Sequence, residues 1–441
     1  MIWNPQAETM PRPVLERLQL ERLQHVVRYA YDRVAVFRER MDASGVSPDG
    51  IRHLEDLSRL PFMFKSDFRD HYPFGLFAVP LDRVVRIHAS SGTTGKPTVV
   101  GYTRADIEVW AEVCARCLAA SGGRPGDVFQ NAYGYGLFTG GLGMHYGAER
   151  LGMTIVPVSG GNTERQIMLL QDFGARVIAC TPSYALTLAE ALAVRGVRAG
   201  DLRLRYGVLG AEPWTEQMRS QIEEKLGITA VNIYGLSEVI GPGVSNECVE
   251  AKDGSHVFED HFLVEVVDPH SGEPLPYGEQ GELVFTTLTK EALPVIRYRT
   301  GDIASLNPEP CRCGRTHVRM SRVVGRTDDM LIVRGVNVYP SQVEAAIVGL
   351  PQLTPHYQLV VTRERTLDEL EVRIEVDDLY FNGIGGVLDP ADERVQNLLQ
   401  RAHEAIYGVL GISTKVTLMA PGTVPRSEGG KLRRVVDLRK M

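Results

Sequence analysis

The feature that most constrains the fold of this chain is a dense polar loop directly after an apolar, β-branched run. Residues 84–87 read Val-Val-Arg-Ile and predict a β-strand. Hydroxyl side chains, glycines and a lysine then follow without a break: Ser90, Ser91, Gly92, Thr93, Thr94, Gly95 and Lys96. Glycine lets the backbone approach a ligand, successive N–H groups form an anion nest, and the hydroxyl and ammonium groups add donors for phosphate oxygens. The chain is therefore predicted to fold around a phosphate-binding loop.

This loop is not the Walker loop of P-loop nucleotide-binding proteins. The Walker pattern places a longer segment between its first glycine and the Gly-Lys pair, and Ser or Thr follows the lysine. Here only Thr93 and Thr94 separate Gly92 from Gly95, and Pro97 follows the lysine. An ordinary polar surface loop is the alternative interpretation, and the density of donors favours the phosphate site.

Helical and strand patterns alternate in the part of the chain that follows the loop. The predicted order is helix 104–120, strand 154–158, helix 163–173, strand 177–180, helix 183–195, strand 207–209, helix 214–226 and strand 230–233. Alternating βα units with continuous apolar strands predict a mostly parallel sheet that helices cover on both faces. Ligands of such sheets bind beyond the carboxyl ends of the strands.

The remaining patterns divide the chain into three predicted parts. Residues 1–80 form a helical N-terminal segment with a helix at 14–34, and 81–327 form the core domain, with an antiparallel β subdomain at about 255–325. Residues 328–441 form a small, mobile C-terminal α+β lid. The predicted fold class is α/β, with mostly parallel sheets in a large N-terminal domain. For the N-terminal segment the sequence leaves open a cap, an oligomer contact such as that of a homodimer, and a first layer packed on the core.

Composition excludes several classes of partner. The net charge of −7 argues against a nucleic-acid-binding protein, which would carry a basic surface. No apolar run approaches the ~20 residues of a membrane span, and the first residues lack the features of a secretory signal. The expectation is a cytoplasmic protein that binds neither nucleic acid nor membrane.

The six cysteines fall into groups that predict different roles. Cys114 and Cys117 form a C-x-x-C pair, but they lie on one apolar stripe of a predicted helix, which favours core packing over redox or metal chemistry. Three other cysteines and a histidine match a closed structural zinc set of the Cys₃His type: Cys248, His256, Cys311 and Cys313. The C-x-C spacing is tighter than usual, and reduced thiols are the alternative. The prediction is ~1 zinc ion per chain with a structural role.

Ordered strings along the chain resemble the core motifs of the adenylate-forming superfamily, which includes acyl-CoA synthetases, luciferases and peptide-synthetase adenylation domains. The strings lie at 90–97, 234–238, 298–302, 325–329 and 429–431. Narrower strings at 132–141, 210–214 and 288–294 resemble the phenylacetate–CoA ligase branch of that superfamily. The resemblance runs from about residue 85 to the C-terminus.

The resemblance implies a two-step reaction. A carboxylate attacks the α-phosphate of ATP and expels pyrophosphate, and the thiol of coenzyme A then displaces AMP from the acyl adenylate. The first step needs alignment and charge stabilisation more than a protein base. By the resemblance Lys431 and Glu238 are catalytic, Glu238 holds Mg²⁺, and Asp328 is the hinge of the lid. Lys431 is expected to serve only the first step, because the pantetheine thiol needs its place in the second.

The resemblance also assigns the binding residues. ATP is expected to contact the loop at 90–96 and a second set: Gly210, Ala211, Glu212, Pro213, Tyr234, Gly235, Ser237, Asp302 and Arg326. Asp302 would accept both ribose hydroxyls, and Tyr234 would pack on adenine. The acyl pocket is expected to contain Tyr135, Gly136, Phe138 and Ala211. The chain departs from the pattern at Ser237, where many relatives carry Thr, and at Asn337, where several acyl-CoA synthetases carry Arg.

Three functions compete at this point. The first is a CoA ligase for a small aryl carboxylic acid, with phenylacetate as the implied acid and ATP, Mg²⁺, coenzyme A and structural zinc as cofactors. The second is an adenylating enzyme for a benzoate-type or aminobenzoate acid that loads a carrier protein. The third is a non-enzymatic, zinc-containing interaction protein. The phosphate loop, Glu238, Asp302 and Lys431 are all present, which argues against the third.

Overall fold

The computed structural model describes residues 1–89, 97–327, 331–333, 336–364, 367–425 and 434–439. Some of the predicted site residues lie outside this described part: Ser90, Ser91, Gly92, Thr93, Thr94, Gly95, Lys96, Asp328 and Lys431. The chain divides into two compact units. The larger contains Met1–Ala211 and Lys225–Arg322, and the smaller contains Glu212–Glu224 and Val323–Met441.

The helices range from short turns near the N-terminus to the long α2. They are α1 Pro5–Glu8, α2 Arg12–Arg33, α3 Ala35–Ser44, α4 Lys65–Asp70, α5 Arg104–Ala120, α6 Thr139–Leu151, α7 Thr163–Phe173, α8 Pro182–Val194, α9 Glu216–Leu226, α10 Pro340–Val348, α11 Asp378–Gly383 and α12 Glu393–Leu410. Short 3₁₀ turns lie at Pro48–Gly50, Leu54–Arg59, Leu81–Arg83 and Ala199–Asp201. Within the described residues, no helix combines the length and the apolar character needed to cross a lipid bilayer.

The strands lie in both units. They are β1 Arg86–Ala89, β2 Val99–Tyr102, β3 Val128–Asn131, β4 Thr154–Val156, β5 Val177–Cys180, β6 Tyr206–Gly210, β7 Thr229–Leu236, β8 Gly241–Asn246, β9 Ser255–Val257, β10 Phe262–Val267, β11 Gly281–Thr287, β12 Tyr298–Ala304, β13 Leu306–Asn307, β14 Arg319–Met320, β15 Gly325–Arg326, β16 Leu331–Val333, β17 Val336–Val338, β18 Leu353–Glu364, β19 Leu367–Val376, β20 Lys415–Met419 and β21 Val435–Asp437.

The predicted parallel sheet is the centre of the larger unit. In the described chain its strand order is β13-β14-β9-β8-β7-β6-β5-β3-β4, and the strands from β4 to β7 run parallel. The other four strands add an antiparallel edge. The prediction of a mostly parallel sheet is confirmed for the βα units. The sequence pattern assigned β9, β13 and β14 to a separate β subdomain, whereas they extend this sheet. Of the strands predicted for that subdomain, β10, β11 and β12 do form a distinct antiparallel group.

Helices α5 and α6 pack unusually closely, and glycines permit the approach. A Cβ at Gly143 would lie 2.7 Å from the Trp110 ring, and one at Gly147 would lie 2.4 Å from the Cβ of Cys114. Cys114 and Cys117 are fully buried there, and burial raises the pKa of both thiols. The prediction that these cysteines are core residues is therefore confirmed.

Charged and polar contacts join the N-terminal helices to later parts of the larger unit. Arg12 donates to the Glu259 carboxylate at 2.7 Å, and the Gln19 amide donates to the Glu259 carbonyl at 3.1 Å. Arg315, almost fully buried, pairs at 2.6 Å with Glu8, which is fully buried. Of the interpretations left open for residues 1–80, the layer packed on the core agrees with these contacts.

The smaller unit is an α+β arrangement, as predicted. Its larger sheet has the order β20-β19-β18-β21, and β18 and β19 form a long antiparallel pair. Helices α10 and α12 cover this sheet, and the core between them contains Ile347, Leu359, Val372 and Ile406. The predicted division of the chain at 327 and 328, and the mobility of the lid, stay predictions.

Candidate active site

The site in the larger unit is built at the carboxyl ends of β6 and β7, where a parallel sheet places its ligands. Gly210 ends β6, and a Cβ at this position would lie 2.2 Å from the Ile233 carbonyl oxygen of β7. Only glycine fits between the two strands at this point. Ala211 follows with a φ of +70°, a left-handed conformation that costs energy for a residue with a Cβ and is typical of functional turns.

Tyr234 near the end of β7 is joined directly to Asp302 on β12. The Tyr234 hydroxyl donates to the Asp302 Oδ2 at 2.7 Å, and its ring stacks on Phe285 with centroids 5.9 Å apart. Asp302 is only 7% exposed. The two residues that the resemblance assigns to adenine and ribose are therefore in contact, and each limits the orientation of the other.

A β-bulge directs Asp302 out of the regular pairing of β11 and β12. Between the pairs Arg299↔Val284 and Ile303↔Glu282, the residues Thr300, Gly301 and Asp302 stand opposite Leu283 alone. Gly301 has a φ of +78°, and its N–H donates to the Glu282 carboxylate at 2.9 Å. The Thr300 hydroxyl donates to the Leu283 carbonyl at 2.9 Å and accepts from the Asp302 N–H at 3.0 Å. Bulges of this kind re-aim a side chain next to active sites. Residues 299–301 thus build the turn, and Asp302 is the residue that the turn presents.

Glu238 lies just beyond the end of β7 and is 8% exposed. Its Oε1 accepts a hydrogen bond of 3.3 Å from the Tyr298 hydroxyl, and its carbonyl oxygen accepts one of 2.9 Å from the Lys290 ammonium. The neighbouring Ser237 hydroxyl lies 3.1 Å from that of Thr139 on α6. A single carboxylate held in this way suits Mg²⁺, which takes one or two protein carboxylates and completes its shell with phosphate oxygens and water.

The aromatic segment at 132–141 is tied to the strand that leads into the phosphate loop. The Leu137 carbonyl oxygen accepts from the Ala89 N–H at 3.0 Å and lies 3.0 Å from the His88 Nδ1. Tyr135 is half-buried, and its hydroxyl accepts from the Asn131 amide at 2.9 Å and lies 3.2 Å from the His145 Nδ1. Burial raises the pKa of Tyr135 to about 12, so the phenol is neutral at physiological pH.

The other predicted pocket and nucleotide residues are distributed over both units. Gly136 has a φ of +113°, and Phe138, whose side chain is 40% exposed, precedes α6. Gly235 needs its missing Cβ, because a Cβ there would lie 2.0 Å from the Gly241 carbonyl oxygen. Three further predicted contacts belong to the smaller unit: Glu212, Pro213 and Arg326.

The four predicted zinc ligands converge at the antiparallel edge of the large sheet. Cys248 follows β8, His256 lies in β9, and Cys311 and Cys313 lie in the loop between β13 and β14. Their ligand atoms all lie within 4.8 Å of one another. The Cys248 and Cys311 sulfurs are 3.7 Å apart, and the Cys313 sulfur is 3.5 Å from the His256 Nε2. Tetrahedral zinc with ordinary bond lengths requires about 3.8 Å between two sulfurs and about 3.5 Å between sulfur and nitrogen. The residues therefore fit the ion.

The surroundings of the cluster act in opposite directions on its thiols, because a hydrogen bond with Cys313 and burial raise the pKa of Cys248. Hydrogen bonds with Cys248 and His256 lower the pKa of Cys313, although burial opposes the shift. The Arg315 guanidinium lies 3.6 Å from the Cys313 sulfur and also donates to Glu8. A cation beside the ligands offsets the net negative charge that three thiolates leave on a zinc site.

Together the fold and the site define an adenylate-forming enzyme. Tyr234 and Glu238 lie at the carboxyl end of β7 in an α/β unit, Asp302 lies in the bulge of β12 and accepts from the Tyr234 hydroxyl, and a separate α+β unit follows. The chain belongs to the family of AMP-binding enzymes and, within it, to the phenylacetate–CoA ligase branch. The family model for the AMP-binding enzyme matches residues 5–288, and that for the AMP-binding enzyme C-terminal domain matches residues 335–439.

Several relatives match along nearly the whole chain. A phenylacetate–coenzyme A ligase of Thermus thermophilus is 62% identical and covers 100% of both chains. One of Escherichia coli is 54% identical over 98% of this chain and 97% of its own. A crystal structure of 2-hydroxyisobutyryl-CoA ligase in the postadenylation state, in complex with 2-HIB-AMP, is 31% identical and has a TM-score of 0.92. The match covers 100% of this chain and 93% of the chain in that structure.

These comparisons confirm the predicted fold class and the predicted reaction. The enzyme uses ATP to activate a carboxylic acid as an acyl adenylate and then forms the CoA thioester. The non-enzymatic interpretation is thereby excluded.

Three residues that contact the site carried no predicted role. Tyr298 and Lys290 both bind Glu238, and Thr139 contacts Ser237. Tyr298 and Lys290 lie inside the motif strings at 298–302 and 288–294, so their positions were visible in the sequence. Their contacts with Glu238 were not visible in the sequence. Glu238 follows β7 in one sheet, whereas Tyr298 begins β12 in another sheet and Lys290 lies between β11 and β12.

Proposed function

We propose that the acid is phenylacetate or a close aryl relative, bound beside the aromatic segment at 132–141. The relatives at 50–62% identity are all named phenylacetate–coenzyme A ligases, and this observation carries the proposal. The described residues of the predicted pocket agree with it. Tyr135 is neutral, Phe138 is apolar, and Gly136 adds no side chain, so the set favours an uncharged ring over a second charged group.

In the proposed reaction, Asp302 holds the ribose hydroxyls and Tyr234 packs on the base. Glu238 holds Mg²⁺, and the ion would neutralise charge on the triphosphate while pyrophosphate leaves. The loop at 90–96 is proposed to bind the β- and γ-phosphates, and Lys431 to bridge the acid and the α-phosphate. Both assignments rest on the sequence motifs, because these residues lie outside the described part of the chain.

We further propose that Cys248, His256, Cys311 and Cys313 hold a structural zinc ion, on the strength of their fit to tetrahedral geometry. The cluster shares no residue with the site at Glu238 and Asp302, so the ion would stabilise the sheet edge and take no part in the reaction. The cytoplasmic location and a homodimer stay predictions.

Glu238→Gln is expected to slow adenylate formation by about 10²-fold, because an amide keeps the shape of the side chain but loses the charge that binds a hard cation. Raising the Mg²⁺ concentration should restore part of the rate. The measurement is pyrophosphate release against Mg²⁺ concentration. The control is Glu279→Gln, which changes an exposed carboxylate and should leave the curve unchanged. Glu282→Gln is not a suitable control, because the Glu282 carboxylate supports the bulge that presents Asp302. A wild-type rate for Glu238→Gln at low Mg²⁺ would assign Glu238 a purely structural role.

A panel of acids tests the substrate. Phenylacetate is expected to exceed benzoate, which lacks one methylene, by about 10- to 200-fold in kcat/KM, since an apolar pocket discriminates a methylene to that degree. The readout is pyrophosphate release, followed by thioester formation with free coenzyme A. Short and medium fatty acids serve as the comparison. If any of them exceeds every aromatic acid, the aryl assignment is wrong, while the class of reaction stands.

A further inference from the structure

Lys290 is a buried cation that the reaction as described leaves without a role. It is 4% exposed, and its ammonium donates to the main-chain carbonyl of Glu238 at 2.9 Å. The Tyr102 ring lies below it, with the centroid 5.2 Å from the Nζ. Within the described residues, no carboxylate forms an ion pair with this ammonium. Burial lowers the pKa of this ammonium to about 8, although the charges of Asp106 and Glu238 oppose the shift, so holding the cation at this position is costly.

The turn that carries Lys290 is fixed to the beginning of α5. The buried Asp106 carboxylate accepts from the N–H groups of Thr103, Glu291 and Ala292 at 2.8, 2.7 and 2.9 Å. The Thr103 hydroxyl also donates to the Glu291 carboxylate at 2.9 Å. Lys290 thus projects from a backbone that is anchored to the start of α5, independently of the Glu238 segment.

Side chains from β2 and α5 hold the segment after Glu238. The Tyr102 hydroxyl donates to the Ile240 carbonyl, and the Trp110 indole donates to the Pro242 carbonyl, both at 2.9 Å. The rings of Tyr102 and Trp110 stack with centroids 4.8 Å apart. At Glu238 itself, the Lys290 ammonium is the group that binds the main chain.

We propose that Lys290 is a positioning residue, which fixes the main chain of Glu238 and thereby aims the Glu238 carboxylate at the divalent cation that accompanies ATP. The inference rests on the proposed role of Glu238 as a ligand of that cation. Partners of this kind, one step removed from a metal, typically change metal affinity or activity by about 10- to 100-fold when they are mutated.

The test is the affinity of the enzyme for Mn²⁺, measured by electron paramagnetic resonance in the presence of α,β-methylene-ATP, which cannot form an adenylate. Lys290→Met keeps the length of the side chain and removes the charge and the donors. Its Mn²⁺ affinity is expected to fall about tenfold. The affinity for the ATP analogue without metal should be unchanged, as should thioester formation from supplied acyl adenylate and coenzyme A.

Two variants accompany Lys290→Met. Glu279→Gln changes an exposed carboxylate that belongs neither to the Glu238 site nor to the turn that carries Lys290, and it is expected to bind Mn²⁺ like the wild type. Glu238→Gln tests the proposed metal-binding carboxylate itself. If Lys290→Met does not fold, Lys290→Gln carries the same test, because its shorter side chain withdraws the donor from the carbonyl.

The outcomes separate the two proposals. Wild-type Mn²⁺ affinity in Lys290→Met, with weakened affinity in Glu238→Gln, would overturn the role of Lys290 and leave that of Glu238 intact. Wild-type affinity in Glu238→Gln would overturn both, while acid–CoA ligation itself would be unaffected. A loss of analogue affinity without metal would mean that Lys290 contacts the nucleotide, which also overturns the positioning role.

Discussion

Lys431→Ala is expected to lower the rate of adenylate formation by about 10²- to 10³-fold, the loss typical for one preorganised charge in the transition state. Conversion of supplied acyl adenylate and coenzyme A into thioester should proceed at close to the wild-type rate. The reason is electrostatic. The carboxylate and the α-phosphate carry like charges and must meet in the first step, and a point charge between them lowers that barrier. In the second step the thiol attacks a carbonyl, and that ammonium has no such task.

The described residues on either side of the segment 426–433 are firmly held. The buried Glu375 carboxylate accepts from the N–H groups of Gly422 and Val424 before the segment. After the segment, Arg434 pairs with the buried Glu344 at 3.1 Å, and its guanidinium lies 4.3 Å from the Tyr357 ring centroid. These contacts hold the described chain before residue 426 and after residue 433, on both sides of the segment that contains Lys431.

The measurement runs the two half-reactions separately. Lys415→Ala removes an exposed lysine of the same unit and is the matched control, expected to leave both rates unchanged. Asp328→Pro, which fixes φ at the predicted hinge, should impair the second step more than the first. Equal loss of both steps in a folded Lys431→Ala would contradict a role restricted to the first step.

Local patterns in the sequence predicted most of the fold and supplied candidates for the site. The strand at 177–180 is a continuous apolar run, and that at 230–233 is apolar except for Asn232. Such runs, alternating with amphipathic helices, allow few arrangements other than a parallel sheet. The ends of such strands are where ligands bind, so position marked Tyr234 and Glu238 as candidates, and the resemblance supplied their predicted roles. The resemblance predicted the role of Asp302. The bulge explains why Thr300 and Gly301 precede it in the motif, since Gly301 supplies the positive φ and the Thr300 hydroxyl supports the turn.

What the sequence could not predict are contacts between distant elements. Lys290 and Glu238 are 52 positions apart, and no periodicity connects a turn to a strand end in another sheet. The antiparallel edge of the large sheet was missed for a related reason. β9, β13 and β14 are two or three residues long, too short to show the alternation that assigns a strand to a sheet. That edge is what brings Cys248 near Cys311.

Cys311→Ser is expected to abolish most zinc binding and to lower the free energy of unfolding substantially. Wild-type protein purified without a metal-binding tag should contain ~1 zinc ion per chain. An ion that binds only the folded state stabilises it by about 4 kcal/mol when its free concentration is 1,000 times the Kd, and this contribution is lost with the site. The effect should spread to the N-terminus, because Arg315 contacts both the Cys313 sulfur and the buried Glu8.

The measurements for Cys311→Ser are metal content and chemical denaturation, with and without added zinc. Cys117→Ala is the matched control, because Cys117 is equally buried but lies outside the cluster, so its zinc content should match that of the wild type. A chelator should destabilise the wild type and leave Cys311→Ser unchanged. At a temperature where Cys311→Ser is folded, its adenylation rate should stay near that of the wild type, since the cluster shares no residue with the site at Glu238.

Wild-type protein that contains no zinc and has freely titratable thiols at Cys311 and Cys313 would contradict the assignment. The four side chains would then be reduced thiols and a histidine that the sheet edge brings together.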